Sequence, residues 1–355
     1  MRLLHVVTAA SLFVGSLFHV STVRAQHERL PSVIHLPDGF QPEGIANGNG
    51  PVLYVGNVND GSILALDPRT GAQSVLIPPQ EGRVAMGLRF DPRTQYLFAA
   101  GGPTGHAFVY DTEVGANVAD FTLTSGAAFV NDLVITREAV YITDSFQQQF
   151  YKIPLRPDGR LPTPAIFQTI PLSGNFVSVP NNFNSNGIVS IDEGRALIIV
   201  NDATGVLYRV DPRSGAASTL DLGGGAVVNG DGLVLRGHTL FVVENFSNQV
   251  QIVDFAPRFE GGTIVRTITN PSFDVPATAA LVDDALYVTI ARFGSPHTPT
   301  TPYDIVRVPL HEPCGQSSAA IVPRAPRAAR DLGSAVFPIE TQLLPSCRSG
   351  LGPVP

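Results

Sequence analysis

Tryptophan is absent from the 355 residues, lysine occurs once (Lys152), and cysteine and methionine occur twice each. Charged residues make up only 15% of the chain and the balance is acidic, with a formal net charge of −7. So little positive charge provides no basic face, and binding to nucleic acid is not expected. No Cys/His cluster surrounds the two cysteines, which argues against a zinc site or a cysteine nucleophile. Long helix-period segments are missing, as is any Gly-X-Y period. There is no G-x-S-x-G, P-loop or dinucleotide fingerprint. Beyond the N-terminus no stretch reaches 18 apolar residues, so no membrane contact is expected once that segment is removed.

What the chain does have is apolar material (44%), 34 Gly and 30 Pro. This composition supports a large core and suits many short strands joined by turns. Residues 1–25 read as a secretory signal: Arg2, an apolar run from Leu3 to Val20, and Val23-Arg24-Ala25 with small residues at the cleavage positions. A membrane anchor is the alternative, although His5, Thr8, Ser11, Ser16 and His19 dilute the run. The expected product is secreted, extracellular or periplasmic. In an oxidising compartment Cys314 and Cys347 are expected to pair across 33 residues and pin a Pro/Ala/Arg-rich tail at 311–355; two free thiols are the alternative. Asn245-Phe246-Ser247 is a glycosylation sequon, relevant to a eukaryotic source.

Between these ends, over 26–310, one pattern recurs. A polar or small residue opens an apolar strand, a short turn follows, and a second apolar strand ends in a polar loop. The anchors are Glu43, Met86, Asn131, Asn186, Asp231 and Ala277, spaced 43, 45, 55, 45 and 46 residues apart. Third strands end in turn signals such as Asp67-Pro68-Arg69-Thr70-Gly71 and Asp211-Pro212-Arg213-Ser214-Gly215. A period near 45 with four strands per unit predicts an all-β, six-bladed β-propeller of four-stranded antiparallel blades around a central channel. The segment Ser32–Leu36 is expected to supply the outer strand of the sixth blade; a seventh blade from the tail is the alternative count.

The first strand of each blade lines the axis, so the six anchors converge on one ring. Four of them are oxygen donors, and Glu43 and Asp231 bring two carboxylates into a narrow channel. Such charges require neutralisation. Oxygen-only donors favour a hard cation, Ca²⁺ first, with Mg²⁺ and Mn²⁺ as alternatives. Any one of these residues reads equally as turn chemistry, since Asn-Gly and Asp-Gly pairs are common at strand starts; four at equivalent positions shift the reading to a metal site.

On these residues the chain resembles the senescence-marker-protein/gluconolactonase/luciferin-regenerating-enzyme-like propellers, related to diisopropylfluorophosphatase and the paraoxonases. The resemblance implies one catalytic Ca²⁺-type ion held by Glu43, Asn131, Asn186 and Asp231. It also implies Asp231 as general base or nucleophile, and a small-molecule ester or lactone as substrate. Met86 occupies the position where paraoxonases place a His, so no His-based mechanism is implied. Gly44 stands where they carry an Asp for a second calcium, which leaves Asp132 alone there. Phe129 replaces a substrate-contacting Arg of gluconolactonase-type relatives, which favours an apolar substrate over a sugar acid.

Because the second strand of each blade runs back to the ring face, its end is expected at the rim. This places Asn57, Asp144, Asn201, Glu244 and Arg292 around the mouth. Arg292 would either orient an anionic group or pair with Glu244 or Asp144. The loops Arg156–Ser185 and Phe293–Tyr303 are expected at the same face, as a lid or as plain surface. The leading reading is a secreted metal-dependent hydrolase of lactones or esters. A propeller that keeps its metal for structure and serves as a binding or scaffolding module is the second, and a strictosidine-synthase-like enzyme the third.

Overall fold

A computed structural model describes residues 30–310. The expected signal segment, the two cysteines expected to pair and the 311–355 tail lie outside the described residues. Within them the expected propeller is present: six antiparallel sheets, each running outward from an axial strand. The axial strands are Pro42–Asn47, Leu88–Asp91, Val130–Ile135, Ser185–Ile191, Gly230–Arg236 and Pro276–Val282, and define blades 1 to 6. Each packs against the axial strands on either side, the sixth against the first.

Val33–His35 pairs antiparallel with Asp304–Pro309 and completes the sixth blade, so the two ends of the repeat region share one sheet. Blade 4 carries one addition to the four-stranded plan, the two-residue Ser173–Gly174 strand lying parallel to Ala216–Thr219.

Inner strands such as Ala196–Asn201 and Ala285–Ile290 are buried along their whole length, because both faces of each blade are covered by neighbours. Six apolar clusters result, one between each pair of adjacent blades. The blade 2/3 cluster, for example, joins Phe98 and Ala100 to Leu133 and Val140. The far-end turns follow their Asp-Pro-x-x-Gly signal. Asp67 Oδ1 accepts from the Arg69 N–H at 2.8 Å, and Gly71 takes the left-handed conformation that closes the turn (φ +75°).

The Arg156–Ser185 insertion divides between the two faces, contrary to the expectation that all of it reaches the mouth. Pairing of Lys152 with both Tyr141 and Gln168 puts residues 155–167 at the end away from the ring, where Gly159 packs on Asp91. Only 172–184 returns to the mouth.

Candidate active site on the channel axis

A β-bulge aims the ring residues. In blades 1, 3, 4, 5 and 6 the register between the first two strands slips at the start of the axial strand. In blade 1, Pro42 faces Asn57 but Ile45 faces Val55, so three residues advance against two. The extra residue falls at Glu43-Gly44, Asn131-Asp132, Asn186-Gly187, Asp231-Gly232 and Ala277-Thr278. Such a bulge breaks the alternation and redirects a side chain.

The glycines serve close approach rather than turning. A Cβ on Gly44 would sit 2.1 Å from the Met86 carbonyl oxygen, and one on Gly187 2.1 Å from that of Asp231. Blades 3 and 6 have Asp132 and Thr278 at this position. There a threonine on the second strand ties the neighbouring ring residue instead: Thr143 Oγ1 donates to the Asn186 carbonyl and Thr289 Oγ1 to that of Glu43, both at 2.7 Å.

Glu43, Met86, Asn131, Asn186 and Asp231 all line one cavity of about 560 Å³, with Asp202 and Asn245 beside them. Ala277, fully buried, does not line it. The walls are Val58, Val84, Met86 and a group of phenylalanines: Phe129, Phe183, Phe246 and Phe293. No Arg, Lys or His lines the cavity.

The electrostatics follow. Burial pushes the Glu43 carboxyl well above its usual range, and Asp231 and Asp132 push it further. Burial does the same to Asp231, with Asp202 adding to it, while a hydrogen bond from Asn245 works against the rise. Asp202 is pushed up to about 6 by burial.

The hydrogen-bond inventory points at the same spot. Among the described residues six buried side-chain polar atoms have no partner, and three are Glu43 Oε2, Asn131 Oδ1 and Asn186 Oδ1. The amide nitrogens of those asparagines are engaged, with Asn131 Nδ2 donating to Ser145 Oγ at 2.9 Å and Asn186 Nδ2 to Asp202 Oδ2 at 3.5 Å. Their oxygens are thereby turned into the cavity. Buried oxygens are seldom left unpaired, and three at equivalent blade positions beside a second carboxylate, Asp231, suit a hard cation. The set is half amide; no group of three His, Cys, Asp or Glu with metal-binding geometry occurs among the described residues.

The rim expectation needs correction by one residue. Asp144, Asn201 and Glu244 end their strands as expected but do not line the cavity. Asp144 accepts from the N–H groups of Phe129, Phe146 and Gln147 at 3.0–3.2 Å and from the Tyr151 hydroxyl at 2.8 Å. Asn201 holds Val177 O and the Thr204 N–H, and Glu244 accepts from Gln249 and Gln251. Their successors face the axis instead, Ser145 bonding Asn131, with Asp202 and Asn245 in the cavity wall. The cause is the period of two: a shift of one residue changes the face.

Arg292 was out of register as well, since Ile290 is the strand end that pairs with Pro276. It pairs with Asp274 at 2.8 Å and Asp304 at 3.5 Å, neither of them an expected partner. Asn245 is buried and its Nδ2 donates to Asp231 Oδ2 at 3.1 Å, which leaves that nitrogen no room for a glycan.

No family model matches the chain, and no curated protein matches it in sequence. Among solved structures it is similar to the major allergen Mala s 1 of Malassezia sympodialis, at 14% identity over 79% of this chain and 96% of that one (TM-score 0.59). It is also similar to virginiamycin B lyase from Staphylococcus aureus, at 10% identity over 78% and 98% (TM-score 0.54). At these identities the likeness shows the propeller fold alone, and the gluconolactonase-type resemblance rests on the ring residues.

Proposed function

We propose that the chain is a metal-dependent hydrolase of apolar esters or lactones, with a divalent cation of the Ca²⁺ type held by Glu43, Asn131, Asn186 and Asp231. The observation that carries this reading is the convergence of three unpartnered buried oxygens on a carboxylate-bearing cavity that has no cation of its own. When bound, the ion supplies Lewis-acid polarisation of a carbonyl oxygen. The chain supplies the rest. Asn245 holds one oxygen of Asp231, so that carboxylate is oriented either to take a proton from an attacking water or to add to the carbonyl carbon itself. Met86, Val58 and the phenylalanines take the apolar part of the substrate and exclude water. A lining without Arg, Lys or His offers nothing to an anionic substituent.

Hydrolysis of aryl esters and lactones should be lost on chelation and return with Ca²⁺. Asp231→Asn should lower kcat by about 10²–10⁴-fold. Equal rates with and without chelator end this reading. A lyase, the activity named for the Staphylococcus neighbour, cleaves without water and would use the same carboxylate as base. Turnover in ¹⁸O-labelled water separates the two, since only hydrolysis places the label in the product acid.

A further inference from the structure

One part of the rim differs from an ordinary protein surface, whereas the loops 58–62, 78–85, 202–205, 270–275 and 291–303 of the same face carry Asp60, Glu81, Arg83, Asp202, Asp274, Arg292 and His297. The loops 101–105, 123–129, 145–148, 172–184, 223–229 and 245–248 contain no Asp, Glu, Lys, Arg or His. At a chain-wide 15% of charged residues, segments of that total length would carry several. Strand directions put all six at the ring face. They also carry five of the chain's large exposed apolar side chains: Phe146 (46% exposed), Val177 (55%), Phe183 (40%), Val228 (47%) and Phe246 (60%). Phe146 and Phe183 pack tilted against each other with ring centroids 4.8 Å apart, and against Phe129 at 5.6 Å (tilted) and 4.9 Å (edge-to-face), so these rings are held in place. Phe246 stands in the turn of blade 5, also against the cavity.

A contiguous exposed apolar patch marks an interaction site. We infer that, contrary to the expectation from hydropathy that the chain makes no membrane contact, this uncharged part of the rim docks on an uncharged lipid–water interface, such as a zwitterionic phospholipid layer, with the cavity mouth beside it. The absence of charge from these six loops, which carry the exposed phenylalanines, decides the occupant. An anionic membrane is recognised by Lys and Arg near the surface, and a charged protein partner by complementary charge; these loops present neither. Aromatic side chains on uncharged loops suit the boundary between headgroups and acyl chains. The docking needs no turnover and goes beyond the hydrolase reading; were both to hold, substrate would enter from the layer.

The test is co-sedimentation of the full chain with phosphatidylcholine vesicles, with and without chelator and across salt concentrations. The expected result is partition into the vesicles that salt does not weaken. The Phe146→Ser/Phe183→Ser/Phe246→Ser variant should partition about tenfold or more weakly, and Phe246→Ser alone, which leaves the stacked cluster intact, should show part of that loss. Val75→Ser and Val265→Ser, at exposed apolar positions on outer strands, should partition like the parent. Four results overturn the inference: no partition, partition that requires anionic lipid and falls with salt, equal loss in the control variants, or a parent protein that dimerises through this face and becomes monomeric on substitution. A protein that binds vesicles but hydrolyses nothing sinks the hydrolase reading and leaves the docking standing.

Discussion

Asp132 and Glu43 are both buried carboxylates on axial strands, but the chain treats them differently. Asp132 accepts from Arg89 at 3.3 Å and from the N–H groups of Leu133 and Ile188 at 2.8 and 3.4 Å. Burial raises its proton affinity, and all three partners work against the rise. Glu43 has one oxygen with no partner, and its neighbours Asp231 and Asp132 add to the effect of burial. A carboxylate kept for structure is thus neutralised from within, by Arg89. The ring carboxylates Glu43 and Asp231 have no such internal counter-ion within the cavity lining.

The sharpest way to break that comparison is Arg89→Met, which strips Asp132 of its counter-ion. Loss of one partner of a buried pair should cost about 3 kcal/mol, read as a shift in the urea midpoint; an unchanged midpoint means that Arg89 is not neutralising Asp132. A smaller effect sharpens the other side. In chelated protein Glu43, Asp231 and Asp202 have raised folded-state pKa values, so the folded chain binds more protons than the unfolded one. The stability they contribute is full below about pH 4 and falls as pH rises, with the share of Asp202 lost on passing about 6. The gap in Tm between Ca²⁺-loaded and chelated protein should therefore widen from acid to neutral pH, and Glu43→Gln should flatten the slope of the chelated form. A gap independent of pH would count against ring carboxylates as metal ligands. The smallest effect belongs to Arg292→Ala. Its partly exposed pairs with Asp274 and Asp304 should contribute less than about 1 kcal/mol, and kcat/KM should stay within about twofold of the parent because the guanidinium is not at the cavity.

The fold was legible because its signal is repeated. Each blade restates the same apolar strands and Asp-Pro-x-x-Gly turns, so errors in one copy are corrected by the others, and even Val33–His35 was placed. The gathering of Glu43, Asn131, Asn186 and Asp231 about one cavity followed from the same repetition. What stayed hidden was local. A bulge is one unpaired residue, and nothing in Asn186-Gly187 separates a bulge from a turn; the need for Gly187 is set by the Asp231 carbonyl of the next blade. Asp202 and Asn245 were missed because the strand ends were read one residue early. Counting back from the turns in the five blades that contain them would have found both. Arg292 was misassigned because the sixth blade has Ile290 where four of the other blades have a polar strand end, Asn57, Asp144, Asn201 and Glu244. The division of the 156–185 insertion depended on which end of the sheet the third strand leaves, and no residue within the insertion records that.

The strap formed by Val33–His35 reverses the order of making and using. This strand is synthesised before every blade, yet the residue beside it, Asp304, which His35 contacts, comes 269 positions later. Until that distant segment exists, the earliest strand has bare amides and no mate, and the nascent circle has two raw edges. The latch can close only once Asp304–Pro309, and with it every intervening blade, has been synthesised.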